Sequence, residues 1–354
     1  MASSSQIDAD GLYAAALRAQ EVGRYEDAVG LLGQASEAGH LAAMTLLGAQ
    51  LLFGRGAPPD PQRGLQLTFH AAEMGGGSAC VLAAAITAAG AAGPQDWPKA
   101  LDYLERAAAG GHAGAQAQLA LLADPSGKPA AKDRSWSQLR RAVSLDGWRS
   151  APAFESVMPD PDIRATAGFA TPAICDWVIA RAQDRLEPAP VFAAESHEKV
   201  QSDTRTNSYA GFDLMSVDLV ILMLRERMAA AAGFDIAGME ACQALHYAPG
   251  ETFAPHFDFM DPLVAGHLPS LRARGQRTFT LLVYLNEGYQ GGETDFPLIG
   301  YRHRGRRGGA LLFRNADTRG EPDRRMLHAG LPPTSGEKWV LSQWARTRPS
   351  APAA

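Results

Sequence analysis

Apolar positions follow one rhythm in the first part of the chain and another in the last. Up to about residue 150 they recur at helical spacing, carried largely by alanine and leucine, in runs such as Leu41–Phe53 and 63–74. The runs repeat. Gly39, Gly75, Gly111 and Gly147 stand 36 residues apart, and the first three close similar phrases: Ala35-Ser36-Glu37-Ala38-Gly39, Ala71-Ala72-Glu73-Met74-Gly75 and Ala107-Ala108-Ala109-Gly110-Gly111. The same phase aligns Ala28 with Gly64 and Ala100, and Ala43 with Ala79 and Ala115. A glycine at a fixed step suits the position just past a helix end, where a positive φ is needed. Each unit therefore predicts a pair of helices whose small residues allow close stacking, and the pairs predict a short α-solenoid over about residues 10–150.

Between Gly147 and Phe169 the chain turns proline-rich, with Pro152, Pro159 and Pro161, which places a boundary near residue 150. Thr171 followed by Pro172 predicts a helix start, and a second helix is predicted over 217–232, stopped by Gly233. Beyond it the rhythm changes to short β-rich runs at 241–247, 279–285, 309–313 and 339–344, with turn signals at Asn286-Glu287-Gly288 and Gly291-Gly292. The expected architecture has two domains: an all-α helical-repeat solenoid over 1–150, then an α+β jelly-roll (double-stranded β-helix) domain over 151–354.

Composition narrows the function classes. The 354 residues are 46% apolar and 20% charged, an ordinary globular balance, and the net charge of -5 gives no reason to expect nucleic acid. Cys80, Cys175 and Cys242 are odd in number and far apart, so buried free thiols in a reducing compartment are expected. The N-terminus lacks a basic segment followed by an apolar one, and the most apolar stretch, 79–92, is alanine-rich and broken by Gly90. The expectation is a cytoplasmic protein that does not engage a membrane.

Candidate chemistry centres on His256-Phe257-Asp258. Residues two apart on a β-strand point to one face, so an imidazole and a carboxylate can aim at one metal ion. His328 is the natural third ligand, which gives two neutral nitrogens and one anionic oxygen, a set suited to non-haem Fe(II) with positions left open. Around these residues lie Tyr247-Ala248-Pro249-Gly250, the strand-like Thr278-Phe279-Thr280-Leu281, Gly291-Gly292-Glu293-Thr294-Asp295-Phe296-Pro297, His328-Ala329-Gly330 and Gly336-Glu337-Lys338-Trp339. In this order the series resembles the catalytic domain of the prolyl 4-hydroxylase family of 2-oxoglutarate- and Fe(II)-dependent dioxygenases. The resemblance spans roughly 169–348, with its core at about 240–348.

That resemblance implies a hydroxylase using Fe(II), 2-oxoglutarate and O2, with ascorbate as a reductant. It implies His256, Asp258 and His328 as metal ligands and Lys338 as the cation for the far carboxylate of 2-oxoglutarate, against the alternative of a solvated turn lysine. Tyr247 and Thr280 fall where the family places hydroxyl donors to that co-substrate; Thr280 could equally be a packing strand threonine. Ser342 and Trp344 share strand parity with Lys338 and join the expected co-substrate site. In related halogenases a small residue replaces the carboxylate, so Asp258 points to hydroxylation.

The 36-residue period, with 51–60 between the helices of one unit, resembles the Sel-one-like repeat, a relative of the tetratricopeptide repeat. The likeness covers three units and a degenerate fourth around 135–147, and implies a protein-interaction scaffold; the alternative is a prop for the second domain. The preferred substrate is a peptidyl, most simply prolyl, residue on a chain held by the repeats. A free amino acid or small metabolite, with the repeats serving a partner protein, is the second reading, and a non-catalytic interaction protein the third. The insertion 259–276, with Arg272 and Arg274, is placed to act as a lid or substrate loop. The basic run 302–307, with Arg324 and Arg325, could clamp an acidic substrate or simply balance nearby acids. Arg205-Thr206-Asn207-Ser208 resembles a family segment near the substrate entrance.

Overall fold

In the computed structural model, which describes residues 8–128, 134–192, 199–200 and 203–348, the helical rhythm becomes consecutive packed pairs: Ala9–Glu21 with Tyr25–Glu37, Leu41–Phe53 with Pro61–Glu73, and Gly77–Ala89 with Trp97–Ala109. Punctuation repeats with the period. Asp60 and Asp96 cap the second helices by accepting the Arg63 and Lys99 N–H groups at 3.0 and 2.9 Å. Gly39, Gly75 and Gly111 follow helix ends at φ of 88°, 90° and 89°. Small residues set the spacing: a Cβ on Gly48 would lie 2.8 Å from the Gly64 carbonyl oxygen, and one on Gly64 would lie 2.7 Å from that of Gly48.

The fourth glycine departs from the expectation. Gly147 lies inside the short helix Leu145–Arg149, where its N–H donates to Ser144 Oγ at 3.1 Å. The preceding helix, Trp136–Ala142, has already ended at Val143, so Ser144 opens a new turn and no left-handed residue is needed at 147.

The helix expected at 217–232 runs over Leu219–Ala232, started by Asp218, whose carboxylate accepts the Ile221 N–H at 3.0 Å, and ended by left-handed Gly233. It is buried nearly all round, with apolar residues on several faces and Arg225, Glu226 and Arg227 set among them. One side meets the helices Gly77–Ala89, Ala113–Ala123 and Leu145–Arg149, and another meets the strand Arg277–Tyr284. A single apolar cluster consequently runs from Met44 in the repeats to Ala345 in the sheet. Glu226 ties the junction, accepting Gln95 Nε2 at 2.9 Å and Trp97 Nε1 at 3.3 Å and pairing with Arg149 at 3.2 Å.

The expected strands appear as Gln243–Tyr247, Arg277–Tyr284, Ala310–Arg314 and Lys338–Arg346, neighbours in one antiparallel sheet. A smaller sheet orders Tyr301–His303, Thr294–Phe296, His328–Gly330 and Phe253–His256. Alternation decides what each long strand faces. Leu281 and Val283 join the cluster containing the buried helix, whereas Leu282 and Tyr284 meet Phe296 of the smaller sheet. On Lys338–Arg346 the split is the same: Trp339, Leu341 and Ala345 turn to the helix, and Lys338, Val340, Ser342 and Trp344 line the inner cavity. The two sheets thus form the walls of the expected jelly roll.

All three cysteines are free and buried, and burial pushes the Cys175 and Cys242 thiols up to about 11. Among the described residues no helix is long and apolar enough to cross a membrane.

Candidate active site

His256 closes the strand Phe253–His256 and His328 opens His328–Gly330; the two stand directly opposite in the antiparallel pair, with ring centroids 4.3 Å apart. Asp258 is not on that strand, contrary to the parity expectation. The strand stops at His256, and Asp258 lies in the bend beyond it. A side-chain relay fixes its carboxylate instead: Asn315 Nδ2 donates to Thr280 Oγ1 at 2.8 Å, and Thr280 Oγ1 donates to Asp258 Oδ2 at 2.6 Å.

One ligand atom from each of His256, Asp258 and His328 lies within 4.8 Å of the others. His256 Nε2 is 3.7 Å from Asp258 Oδ1, and His328 Nε2 is 3.4 Å from Asp258 Oδ2. Each Nδ1 faces a carbonyl oxygen at 2.9 Å, that of Ala254 or Met326. A carbonyl only accepts, so Nδ1 carries the proton and Nε2 turns its lone pair toward the centre. Burial and the neighbouring His328 push His256 down to about 3, which keeps it neutral. Burial acts to raise Asp258, yet its surroundings, including the Thr280 hydroxyl that donates to it, hold it well below the usual carboxylate range. Two neutral nitrogens and one carboxylate fit a divalent transition metal. Phe253 stacks on His256 with centroids 3.4 Å apart, and Phe313 meets His328 edge-on at 4.8 Å, so aromatic walls hold both imidazoles.

Lys338 lies in the same cavity, only 2% exposed, with Nζ 4.9 Å from the Tyr247 ring centroid. Burial pushes it down to about 7, opposed only by Glu293, which is already paired with Arg304 at 3.5 Å. Tyr247 faces Lys338 across the sheet, and burial pushes its hydroxyl up to about 12, leaving a neutral donor. Gly330 makes room for that hydroxyl, since a Cβ there would sit 2.9 Å from it.

Of the other expected co-substrate residues, Ser342 and Trp344 line the cavity, whereas Thr280 spends its hydroxyl on Asp258. Arg205 forms another wall, its guanidinium 4.3 Å from the Phe253 ring centroid. Gln243, Phe253 and the Asn315 relay were not anticipated. For Gln243 the signal was available, because it shares strand parity with Tyr247. Among the described residues Arg205 Nη2, Gln243 Nε2 and Trp344 Nε1 are buried donors without acceptors.

The basic run takes the balancing role. Arg302 pairs with Asp295 at 2.8 Å, Arg304 with Glu293 and Arg307 with Asp176, while Arg324 pairs with Asp261 at 2.9 Å and Arg325 with Asp323 and Asp160 at 2.6 and 2.7 Å. No residue of the insertion 259–276 lines the cavity; its base is clasped by Gln276, which bonds the Met260 N–H and C=O at 2.7 and 2.8 Å.

Residues 242–346 match the 2OG-Fe(II) oxygenase superfamily. Prolyl 4-hydroxylase 1 of Arabidopsis thaliana is 30% identical over 210 residues, covering 55% of this chain and 72% of the relative. Among solved structures, the 2OG complex of the viral collagen prolyl hydroxylase from Paramecium Bursaria Chlorella virus-1 aligns with 52% of this chain and 95% of its own, at 27% identity and a TM-score of 0.40. A Sel1 repeat protein from Oxalobacter formigenes aligns with 38% of this chain and 56% of its own, at 21% identity and a TM-score of 0.32.

Proposed function

The chain belongs to the prolyl 4-hydroxylase family of 2-oxoglutarate- and Fe(II)-dependent oxygenases, and on that premise we propose that it hydroxylates a peptidyl residue, most simply proline, on a chain recruited through its helical repeats. The observation that carries the reading is one cavity that holds the inward-turned His256, Asp258 and His328 together with the buried Lys338. His256, Asp258 and His328 would hold Fe(II), which when bound supplies the chemistry that divides O2 between 2-oxoglutarate, released as succinate and CO2, and a substrate C–H bond. Lys338 would neutralise the far carboxylate of 2-oxoglutarate, and Tyr247 would donate to it. Asn315 and Thr280 keep Asp258 aimed inward and ionised.

The lining favours a substrate rich in acceptors. Arg205, Gln243 and Trp344 offer buried N–H groups and lack acceptors, and an unmet buried donor carries a desolvation penalty that a carbonyl or carboxylate would relieve. Peptide carbonyls supply such acceptors, as do the carboxylates of 2-oxoglutarate. The repeats, which bury small residues and leave helical surface outward, support the recruiting role.

The test is to incubate iron-loaded protein with 2-oxoglutarate and a digest of cellular peptides, with free amino acids in a parallel reaction, and to find the residue type that gains one oxygen. Oxygen on peptidyl proline, absent with Asp258→Ala, is the expected result. Modification of free amino acids alone would move the assignment to a small-molecule hydroxylase.

A further inference from the structure

A second cavity, of about 290 Å³, lies away from the metal ligands at the junction of the repeats with the sheet domain. Its walls come from Leu122 of the last long repeat helix, Trp148 of Leu145–Arg149, Phe169, Ile174 of Pro172–Ala182, and Leu224 and Arg227 of the buried helix. All of these but Arg227 are apolar and almost fully buried. Arg227 is the only charged residue among the described lining residues.

The charges on the buried helix explain why Arg227 stands alone. Arg225 is satisfied by Gln343 and by the Met239 and Glu240 carbonyls. Glu226, the acid beside Arg227, is taken by Arg149, Gln95 and Trp97. Arg227 Nη1–H donates to the Trp148 carbonyl oxygen at 3.2 Å, and its guanidinium lies 5.5 Å from the Phe169 ring centroid. Its Nε–H is sealed from solvent and has no acceptor among the described residues. Burial lowers its pKa with no carboxylate opposing. A part-buried guanidinium on the wall of a largely apolar pocket, the only charge among the described residues there and with bonding capacity unspent, can receive a carboxylate.

We propose that this cavity binds a small, largely apolar monocarboxylate, its anionic head on Arg227 and its hydrocarbon part against Leu122, Phe169 and Leu224. A ligand there touches the repeats and the buried helix together and replaces the missing anion. One charge is all the site can neutralise, so a dicarboxylate such as 2-oxoglutarate fits poorly: its second carboxylate would be buried unpaired.

Octanoate is a suitable probe, with octanol and octylamine as neutral and cationic counterparts, measured on the full chain by titration calorimetry and thermal melting. The expected result is saturable octanoate binding that raises the melting temperature and is not matched by either counterpart. Arg227→Gln should weaken it about tenfold or more, Lys338→Ala should leave it unchanged, and saturating 2-oxoglutarate should not compete. If Arg227→Gln does not fold, Ala142→Leu, which fills the cavity and keeps the cation, should abolish binding instead. Absence of saturable binding, retention in the folded Arg227→Gln protein (or in Ala142→Leu where that variant replaces it), equal binding of octanol, or competition by 2-oxoglutarate overturns the proposal.

Discussion

Thr280 donates its hydroxyl to Asp258 at 2.6 Å, so it stands behind the carboxylate and outside the cavity lining. Thr280→Val keeps the shape and removes that bond, leaving Asn315 without its acceptor. Iron affinity should drop about 10–100-fold, the usual scale for losing a group that orients a metal ligand, while the KM for 2-oxoglutarate at saturating iron changes little. Turnover titrated separately against Fe(II) and 2-oxoglutarate distinguishes the two roles. A selective rise in the 2-oxoglutarate KM would return Thr280 to the co-substrate.

Lys338 should make co-substrate binding pH-dependent. Without an anion it is pushed from 10.5 to about 7 by burial, yet its partner carboxylate needs the charged form. Binding should therefore take up a proton near and above pH 7, and affinity should fall with rising pH, by about tenfold per unit once Lys338 is mostly neutral. Calorimetry in buffers of different ionisation enthalpy reads the uptake directly. In the free protein the unfolded chain holds this proton up to about 10.5 while the folded chain loses it near 7, so the Lys338 contribution to stability rises with pH between those values. Lys338→Met should flatten that part of the melting profile. An unchanged profile would show the lysine to be solvated.

Glu226 gathers Gln95, Trp97 and Arg149 at the junction. Glu226→Ala leaves the buried Trp97 Nε1–H unmet and should destabilise the protein by about 1–3 kcal/mol, measured by chemical denaturation. Deleting residues 1–150 goes further, because it strips the apolar face of Leu219–Ala232 that packs on Gly77–Ala89 and Ala113–Ala123. Such a truncation should aggregate, which removes it as a clean test of whether the repeats bind substrate. A soluble, monomeric core with normal 2-oxoglutarate turnover would contradict this.

Much of the site was legible because its residues sit in short motifs whose order carries the family resemblance, and His256, Asp258, His328 and Lys338 lie around one cavity. Parity worked for Lys338, Ser342 and Trp344, which share a regular strand, and failed for Asp258, which lies past a strand end that no local signal marked. Thr280 has the expected inward direction, but direction alone does not say whether a hydroxyl meets an open cavity or another side chain. The basic run could not be assigned from sequence because Arg307 and Arg325 meet acids 131 and 165 residues away. Gly147 kept the repeat's phase while a serine cap moved the helix start around it. For the buried helix, length and end could be read, whereas its place between repeats and sheet depended on long-range packing.

The strand Lys338–Arg346 is a partition with both sides in use, Lys338 and Ser342 toward the cavity of His256, Asp258 and His328, and Trp339 and Leu341 toward the apolar cluster that contains the buried helix. A sequence drifting on one side has to stay compatible with the other. A substitution at Trp339 or Leu341 that shifts the strand within that apolar cluster would therefore also displace Lys338 and Ser342 on its opposite face.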